Sequence, residues 1–286
     1  MKNALKGPAL LIVAMFMFAA MGVFVKSAGK QVPFVELVAL RCLASVVAIF
    51  LLAKREKVSL AGKRRGLLLV RGITGTAALF MFFFALTEIP VADSILLNQT
   101  TPVFTLPLAA LFLKEKIPLR NVFFVAVVLV GVALVVKPRG DVVNPAAFIA
   151  LGSAVFAAIS YILVRKLTAG DHPLTIVFWF NVVGFFISLP VSAPVFVVPA
   201  RETVFDIIAM GILGTLGQIF MTYAYRRSEA GKLAALGSFG ALFGAFFDYV
   251  VLHHLPDALS AVGGLVVIVF CALIQVDFSG RKTARK

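Results

Sequence analysis

The motif Gly72-Ile73-Thr74-Gly75-Thr76 recurs in the second half of the chain as Gly211-Ile212-Leu213-Gly214-Thr215, and this recurrence is the basis for predicting the fold. Three further anchors keep the same order in both halves: Phe18-Ala19-Ala20 with Phe156-Ala157-Ala158, Ala85 with Ala224, and Ile117-Pro118 with Leu255-Pro256. Four anchors in one order indicate an internal duplication. We predict a first repeat over residues 1–138 and a second over residues 139–286, which ends in a basic cytoplasmic tail.

Each predicted repeat holds five hydrophobic segments, and five is an odd number. The second copy must therefore enter a membrane upside down relative to the first. Inverted repeats of this kind are typical of secondary transporters, whose substrate site lies at the repeat interface near the middle of the membrane. Polar residues inside the segments decide whether that interpretation is supported.

The composition is that of an integral membrane protein. Of the 286 residues, 61% are hydrophobic and 14% are charged, against about 45–50% and about 25% in soluble domains. The net charge of +14 does not indicate nucleic-acid binding, because the basic residues fall mostly in short gaps between apolar runs. Cys42 and Cys271 lie inside apolar runs, and the three histidines show no metal-ligand spacing. We expect neither a disulfide framework nor a metal or other cofactor.

A helix needs roughly 20 apolar residues to cross the bilayer core. We predict ten spans, at residues 8–26, 33–53, 66–87, 91–113, 119–136, 145–165, 173–196, 203–226, 229–252 and 257–276. Ten spans place both termini on the same side. Twenty Lys and Arg residues lie on that side, and five lie on the other: Lys26, Lys30, Lys137, Arg139 and Arg201. Positive loops stay in the cytoplasm, so we expect a multi-pass protein of the inner or plasma membrane with both termini cytoplasmic.

Several stretches carry a family resemblance. They are Leu37 to Arg41, Arg71-Gly72, Ile89-Pro90-Val91-Ala92 through Pro102-Val103-Phe104, Leu113-Lys114-Glu115-Lys116-Ile117, and Gly131-Val132-Ala133-Leu134. Together they resemble the EamA repeat of the drug/metabolite transporter superfamily. The resemblance implies ten helices in two inverted five-helix repeats around a central cavity. It also implies transport of amino acids, nucleotide-like metabolites, vitamins or drugs. One departure is His253, which takes the place of the repeat's usual glutamate, here Glu115 in the first half.

Arg41 is the first candidate for substrate binding, because a charge inside the bilayer is costly and usually marks a functional path. It lies near mid-depth in the second span, and the repeat alignment places Asn181 opposite it. Arg41 is suited to bind a carboxylate or phosphate through two parallel hydrogen bonds. The alternative is a structural pair with Glu36 or another helix. For Asn181 alone, a hydrogen bond between helices is the simpler interpretation.

Arg71 and Asp248 are candidates for coupling or gating. Arg71 either attracts anions at the cytoplasmic mouth or extends to the cytoplasmic surface. Asp248 shares one helix face with Gly240 and Gly244, whose missing side chains allow close helix contact. Its carboxylate either binds protons or a cationic group, or bonds to a neighbouring helix.

Polar residues in the fourth span predict a helix that lines a cavity. Asn98, Gln99, Thr100 and Thr101 cover most of one turn, and Pro102 then removes a backbone hydrogen bond. We predict substrate contacts from Asn98 and Thr101, which share a face with Thr105. A hinge at Pro102 is a hypothesis, with ordinary packing irregularity as its alternative.

Two later spans supply the remaining substrate candidates. Gln218, Thr222 and Tyr225 form one polar stripe at helical spacing, from which we select Gln218 and Tyr225. Trp179 is the single tryptophan and lies inside its span. It either stacks on a flat substrate or serves in packing, which is the commoner role.

The sequence contains no Ser/His/Asp constellation, paired catalytic carboxylates or phosphate-binding loop. We therefore predict a secondary transporter rather than an enzyme, working by alternating access on a small, anionic or zwitterionic, amino-acid-like metabolite. Export is expected by analogy with the family. Uptake of a vitamin or an S-adenosylmethionine-like metabolite is the alternative, and a membrane-embedded enzyme is less favoured. The expected partners are the substrate and the lipid bilayer, with protons as a candidate coupling ion and no nucleic acid. A monomer and a homodimer both remain open.

Overall fold

The computed structural model describes residues 6–104, 107–108, 119–136, 144–227, 236–237, 239–253 and 257–284, with side chains between residues 7 and 274. The described residues contain ten α-helices of eight or more residues and no β-strand. The helices are α1 (Lys6–Ala28), α2 (Phe34–Arg55), α3 (Arg65–Glu88), α4 (Val91–Asn98), α5 (Leu119–Val136), α6 (Pro145–Leu167), α7 (Pro173–Ser192), α8 (Arg201–Arg227), α9 (Phe239–Val250) and α10 (Ala258–Ala284).

Proline marks the start of several helices. Proline fits the first helical position, because its fixed φ suits a helix and its missing N–H needs no partner there. Pro145 and Pro173 begin α6 and α7, and the side chains of Asn144 and His172 before them accept hydrogen bonds from the next free backbone N–H groups. Within the described chain, α1, α2, α3, α6, α7 and α8 are long and apolar enough to cross a membrane. This confirms an all-helical integral membrane protein.

Helix packing follows a two-fold pattern that relates the two halves. Each of α1–α5 corresponds to the helix five places later, in α6–α10. Under this correspondence, the α1–α8 contact is equivalent to α6–α3, the α1–α9 contact to α6–α4, and the α2–α8 contact to α7–α3. The pairs α2–α7, α4–α9 and α5–α10 map onto themselves. Exchanging α1–α5 for α6–α10 therefore leaves the packing scheme unchanged. The most extensive helix contacts, α1–α8, α3–α6, α5–α10 and α2–α7, each join one half to the other, so the space between the halves is an interface of two repeats.

The repeated sequence stretch has the same local structure in both copies. The Thr76 hydroxyl donates to the Gly72 carbonyl at 2.7 Å, and the Thr215 hydroxyl donates to the Gly211 carbonyl at 2.6 Å. Each pair spans one helical turn, which satisfies the hydroxyl inside the apolar interior. The two copies lie on α3 and α8, which occupy equivalent places in the packing scheme.

Hydrogen bonds at the ends of α2 and α7 show that the two helices run in opposite directions. Glu36, in the first turn of α2, accepts a hydrogen bond from the backbone N–H of Val197, which follows α7. Thr175, in the first turn of α7, donates to the carbonyl of Ser59, which follows α2. The start of each helix therefore lies beside the end of the other, as inverted repeats require.

The fourth predicted span, over 91–113, is interrupted in the structure next to Pro102, where the sequence analysis places a hinge as a hypothesis. Helix α4 ends at Asn98, a turn follows at Gln99 and Thr100, and helical structure resumes at residues 101–104. Pro102 has no N–H to offer the Asn98 carbonyl. The Thr101 hydroxyl donates to that carbonyl instead, at 2.6 Å.

The Thr100 hydroxyl also donates to the Leu97 carbonyl, at 2.7 Å, and the Thr100 backbone N–H donates to the same carbonyl, at 3.2 Å. Non-helical backbone at membrane depth is tolerated where it is buried in protein or lines a cavity. Thr105, Glu115 and the beginning of the predicted ninth span lie outside the described residues.

Candidate functional site

A cavity of about 100 Å³ lies between the two repeats. Its lining comes from both halves of the chain and includes four of the predicted site residues: Arg41, Arg71, Asn98 and Gln218. Ligand pockets usually measure about 300–1,000 Å³, so a metabolite-sized ligand requires this cavity to widen.

Arg41 on α2 is 1% exposed and is held by the second repeat. Its two terminal nitrogens donate to the Asn181 side-chain oxygen and to the Gly214 carbonyl, both at 3.4 Å. The Asn181 amide is itself oriented, because its nitrogen donates to the Val177 carbonyl at 2.8 Å. A Cβ at position 214 would lie 2.8 Å from the Arg41 Nε. The second glycine of the repeated stretch thus provides the space that the guanidinium occupies.

Arg71 on α3 also faces the cavity and does not extend to the cytoplasmic surface. It is 3% exposed, and its guanidinium carbon lies 4.4 Å from the centre of the Phe180 ring. The Arg41 guanidinium carbon lies 5.7 Å from the same ring. One aromatic ring therefore contacts both cations, an arrangement favoured by the negative charge density on the ring face. Gly75 makes room for Arg71, since a side chain there would overlap the Arg71 Nη1 atom.

Uncharged polar groups complete the cavity wall. Asn98, the last residue of α4, donates to the Ser153 hydroxyl at 2.7 Å. The Gln218 side-chain oxygen and the Ser160 hydroxyl are buried without a hydrogen-bond partner among the described residues. Buried polar atoms that lack partners are rare in folded proteins. Their concentration at one cavity indicates a place that a polar ligand completes.

Three predicted residues lie outside the lining of the cavity. Asn181 holds Arg41, Thr101 is bonded to the Asn98 carbonyl, and Pro102 follows the break in α4. Their direct contact with substrate remains a prediction. In this structure Asn181 and Thr101 contact other protein groups.

Trp179 and Tyr225 lie farther from the cavity than the sequence analysis predicts. The Trp179 indole donates to the Leu60 carbonyl at 2.9 Å, in the segment between α2 and α3, and the ring packs beside a small apolar cluster that includes Leu68 and Leu167. Trp179 therefore serves in packing, the alternative that the sequence left open. The Tyr225 ring lies 6.0 Å from that of Tyr161, which does line the cavity. Tyr225 contacts the site through Tyr161.

Asp248 on α9 caps the start of α4. Its carboxylate accepts hydrogen bonds from the backbone N–H groups of Ala92 at 2.7 Å and Val91 at 3.3 Å. A carboxylate at this position also complements the positive end of the helix dipole. On the other side of the same turn, the Lys26 ammonium donates to the Ile89 carbonyl at 2.8 Å. The two charged groups clamp the turn between α3 and α4, so the structure favours the interhelical role of Asp248, and its coupling role remains a prediction.

A second cavity, of about 410 Å³, opens at the opposite end of the helices, between the α2–α3 and α6–α7 connections. Lys63, Asp171, His172 and Arg226 line it. The Asp171 carboxylate accepts a hydrogen bond from the Lys63 backbone N–H and so ties the two connections together. Burial lowers the pKa of His172, and the positive charge of Arg226 lowers it further. None of the predicted site residues lines this cavity.

Phe180 lines the cavity and contacts both guanidiniums, and the sequence analysis did not select it. The repeated glycines lie 139 residues apart, and this offset places Phe180, not Asn181, opposite Arg41. The structure agrees, because Arg41 packs on Gly214 as Phe180 packs on Gly75. The offset of 139 residues between the glycine anchors was the signal in the sequence that identifies Phe180. The pairing of Arg41 with Asn181 in the sequence alignment was wrong by one residue.

Two inverted helical repeats with a polar cavity at their interface are typical of membrane transporters. The comparison with protein families identifies the chain more closely. The model of the EamA-like transporter family matches residues 5–137 and 144–276. The chain belongs to this family and is a transporter of a small metabolite.

Known proteins similar to this chain are transporters as well. The pseudopaline exporter of Pseudomonas aeruginosa (strain UCBPP-PA14) is 34% identical over 271 residues, with 94% of this chain and 95% of the relative covered. Solute carrier family 35 member G1 of Mus musculus is 28% identical, covering 90% and 75%. The S-adenosylmethionine uptake transporter of Rickettsia felis is 25% identical, covering 78% and 73%. One solved crystal structure matches with a TM-score of 0.69 at 19% identity and covers 97% of this chain and 99% of its own, which shows a shared fold.

Proposed function

We propose that this transporter exports an anionic or zwitterionic, amino-acid-like metabolite across the inner or plasma membrane, with both termini in the cytoplasm. The observation that carries the proposal is the pair of buried arginines, Arg41 and Arg71, at the cavity between the repeats. No Asp or Glu is among the described residues that line this cavity.

The energetic argument rests on desolvation. A guanidinium keeps its charge in proteins, and a charge removed from water is costly unless it is paired and hydrogen-bonded. Arg41 makes two long hydrogen bonds to neutral oxygens, and Arg71 stacks on Phe180. Neither contact supplies a negative charge. An anionic group of the substrate supplies one, so binding and charge compensation occur together.

Export is the proposed direction because of the pseudopaline exporter, which is similar to this chain over nearly its whole length. The similarity to an S-adenosylmethionine uptake transporter supports uptake as the second candidate. The site disfavours that substrate class, since a sulfonium cation would meet two buried guanidiniums that repel it.

Alternating access follows from the way the site is divided between the repeats. Arg41 and Arg71 belong to the first repeat, while Phe180, Gly214 and Gln218 belong to the second. Rocking of one repeat against the other opens the cavity to one side at a time. Proton coupling, with Asp248 as its candidate group, and uncoupled transport are both compatible with this scheme.

The test is a comparison of the metabolites that accumulate in the medium of bacteria expressing the wild type or Arg41→Gln, measured by mass spectrometry. Arg201→Gln is the matched control, because Arg201 is an exposed residue at the start of α8. We expect at least one anionic or zwitterionic compound to accumulate with the wild type and the control, and to fall to the background with Arg41→Gln at equal membrane abundance. Accumulation of cations alone, or equal accumulation with Arg41→Gln, would contradict the proposal.

A further inference from the structure

We infer that the transported molecule carries two acidic groups, one for each arginine of the cavity. This inference rests on the proposed function, because it concerns the same site and makes its substrate class more specific. It begins with the geometry of the two cations. Both guanidinium carbons lie over the Phe180 ring, at 5.7 Å for Arg41 and 4.4 Å for Arg71. They are therefore at most about 10 Å apart, within reach of one small molecule.

The protein does not neutralise either cation with a carboxylate from its described residues. The buried carboxylates in that part of the chain have other contacts at the two ends of the helices. Glu36 accepts from the Val197 N–H, Asp171 from the Lys63 N–H and Asp248 from the Ala92 N–H. Two positive charges thus share the cavity between the repeats. A ligand with one acidic group leaves one of them uncompensated, and a buried unpaired charge is strongly unfavourable.

Unused hydrogen-bond donors lie on both arginines, in agreement with two acidic groups. The Arg41 Nε and the Arg71 Nε and Nη1 are buried without a partner among the described residues. A carboxylate binds best to one guanidinium through two parallel hydrogen bonds. Each of the two side chains therefore keeps at least one donor atom for an acidic group of its own.

Two acceptors at the same cavity add a third requirement. The Gln218 side-chain oxygen and the Ser160 hydroxyl have no partner in the described part of the chain. The Gln218 oxygen can only accept a hydrogen bond and the Ser160 hydroxyl can accept one as well, so an N–H-bearing group of the ligand would satisfy either of them. The chemical class that satisfies all of these atoms is an amino acid with a second acidic group, or an N-substituted derivative of one.

Binding to the purified full-length protein tests the inference directly. Thermal shift and calorimetric titration in chloride-free buffer compare diacids with their monoamides: L-aspartate with L-asparagine, L-glutamate with L-glutamine, and L-2-aminoadipate as a longer diacid. Chloride is removed because an inorganic anion competes for an arginine. We expect at least one diacid to bind about tenfold or more tightly than its monoamide, because the amide leaves one guanidinium unpaired.

The arginine variants separate charge pairing from a general loss of folding. In Arg71→Gln, the preference for the diacid over the monoamide should fall to about one, and Arg71→Lys should restore part of it. Arg201→Gln should keep the wild-type preference. Variants whose melting temperature without ligand matches the wild type provide the comparison.

Each other outcome overturns a defined part of the reasoning. Equal affinity for a diacid and its monoamide overturns the two-acid inference and leaves the export of a mono-anionic or zwitterionic metabolite standing. Absence of binding by every diacid in the series also overturns the inference. Binding of cationic compounds alone overturns the inference and the proposed function together.

Discussion

A single methyl group at Gly214 should impair transport without unfolding the protein. In Gly214→Ala the new Cβ would lie 2.8 Å from both the Arg41 Nε and the Met21 Sδ, whereas ordinary contacts begin at 3.4 Å, so both side chains must retreat by about 0.6 Å. Both hydrogen bonds of Arg41 are already 3.4 Å long, and this movement breaks at least one of them. Hydrogen bonds to charged groups contribute about 1.5–3 kcal/mol. We therefore expect substrate affinity to fall by about ten- to a hundredfold.

The measurement is uptake or efflux by proteoliposomes that contain equal amounts of the variant and the wild type. Gly66→Ala is the matched control, because it makes the same chemical change in α3 where no atom lies within 4 Å of the new Cβ. It should transport as the wild type does. Wild-type flux in Gly214→Ala, with an unchanged melting temperature, would show that the position of Arg41 does not limit transport and would refute the reasoning.

Three other substitutions test neighbouring parts of the argument. Phe180→Leu removes the ring shared by both guanidiniums, and since a cation–π contact contributes about 0.5–2 kcal/mol, titration should show a loss of affinity of about two- to thirtyfold; unchanged affinity would mean that the ring only fills space. The side chain in Asp248→Asn has one acceptor oxygen in place of two, so one backbone N–H at the start of α4 loses its acceptor. The free energy of unfolding should fall by about 1–3 kcal/mol, and an unchanged melting temperature would argue against the contact of Asp248 with α4. Gly72→Ala places a Cβ 2.6 Å from that of Val183, which should destabilise the protein by about 1–3 kcal/mol, and a second change, Val183→Ala, should restore most of the loss in the same unfolding measurement.

The sequence predicted the repeat, the helical membrane fold and the part of the site that depends on charge. Arg41 and Arg71 were identifiable because a charged residue within an apolar run is costly in a membrane. Asn98 and Gln218 were identifiable because helical periodicity places them on polar faces. Each of these inferences uses the depth or the period of a residue, which can be read along one helix.

The misplaced residues depend on contacts between helices, which a single segment does not encode. Trp179 lies inside a predicted span, yet its indole reaches the Leu60 carbonyl in a connection that precedes it by more than a hundred residues. Phe180 is one of 28 phenylalanines, and only its position over two guanidiniums distinguishes it.

The functional site departs from the symmetry that builds the fold. The repeat offset pairs Arg41 with Phe180 and Arg71 with Met210, so both cations come from the first repeat. An inverted scaffold needs symmetry, because exchanging the conformations of its halves opens the cavity to the opposite side. A substrate has no such symmetry, and its binding residues are free to differ. Arg41 connects these two requirements, because it is a candidate binding residue of the first repeat and also donates hydrogen bonds across the interface to Asn181 and Gly214 of the second.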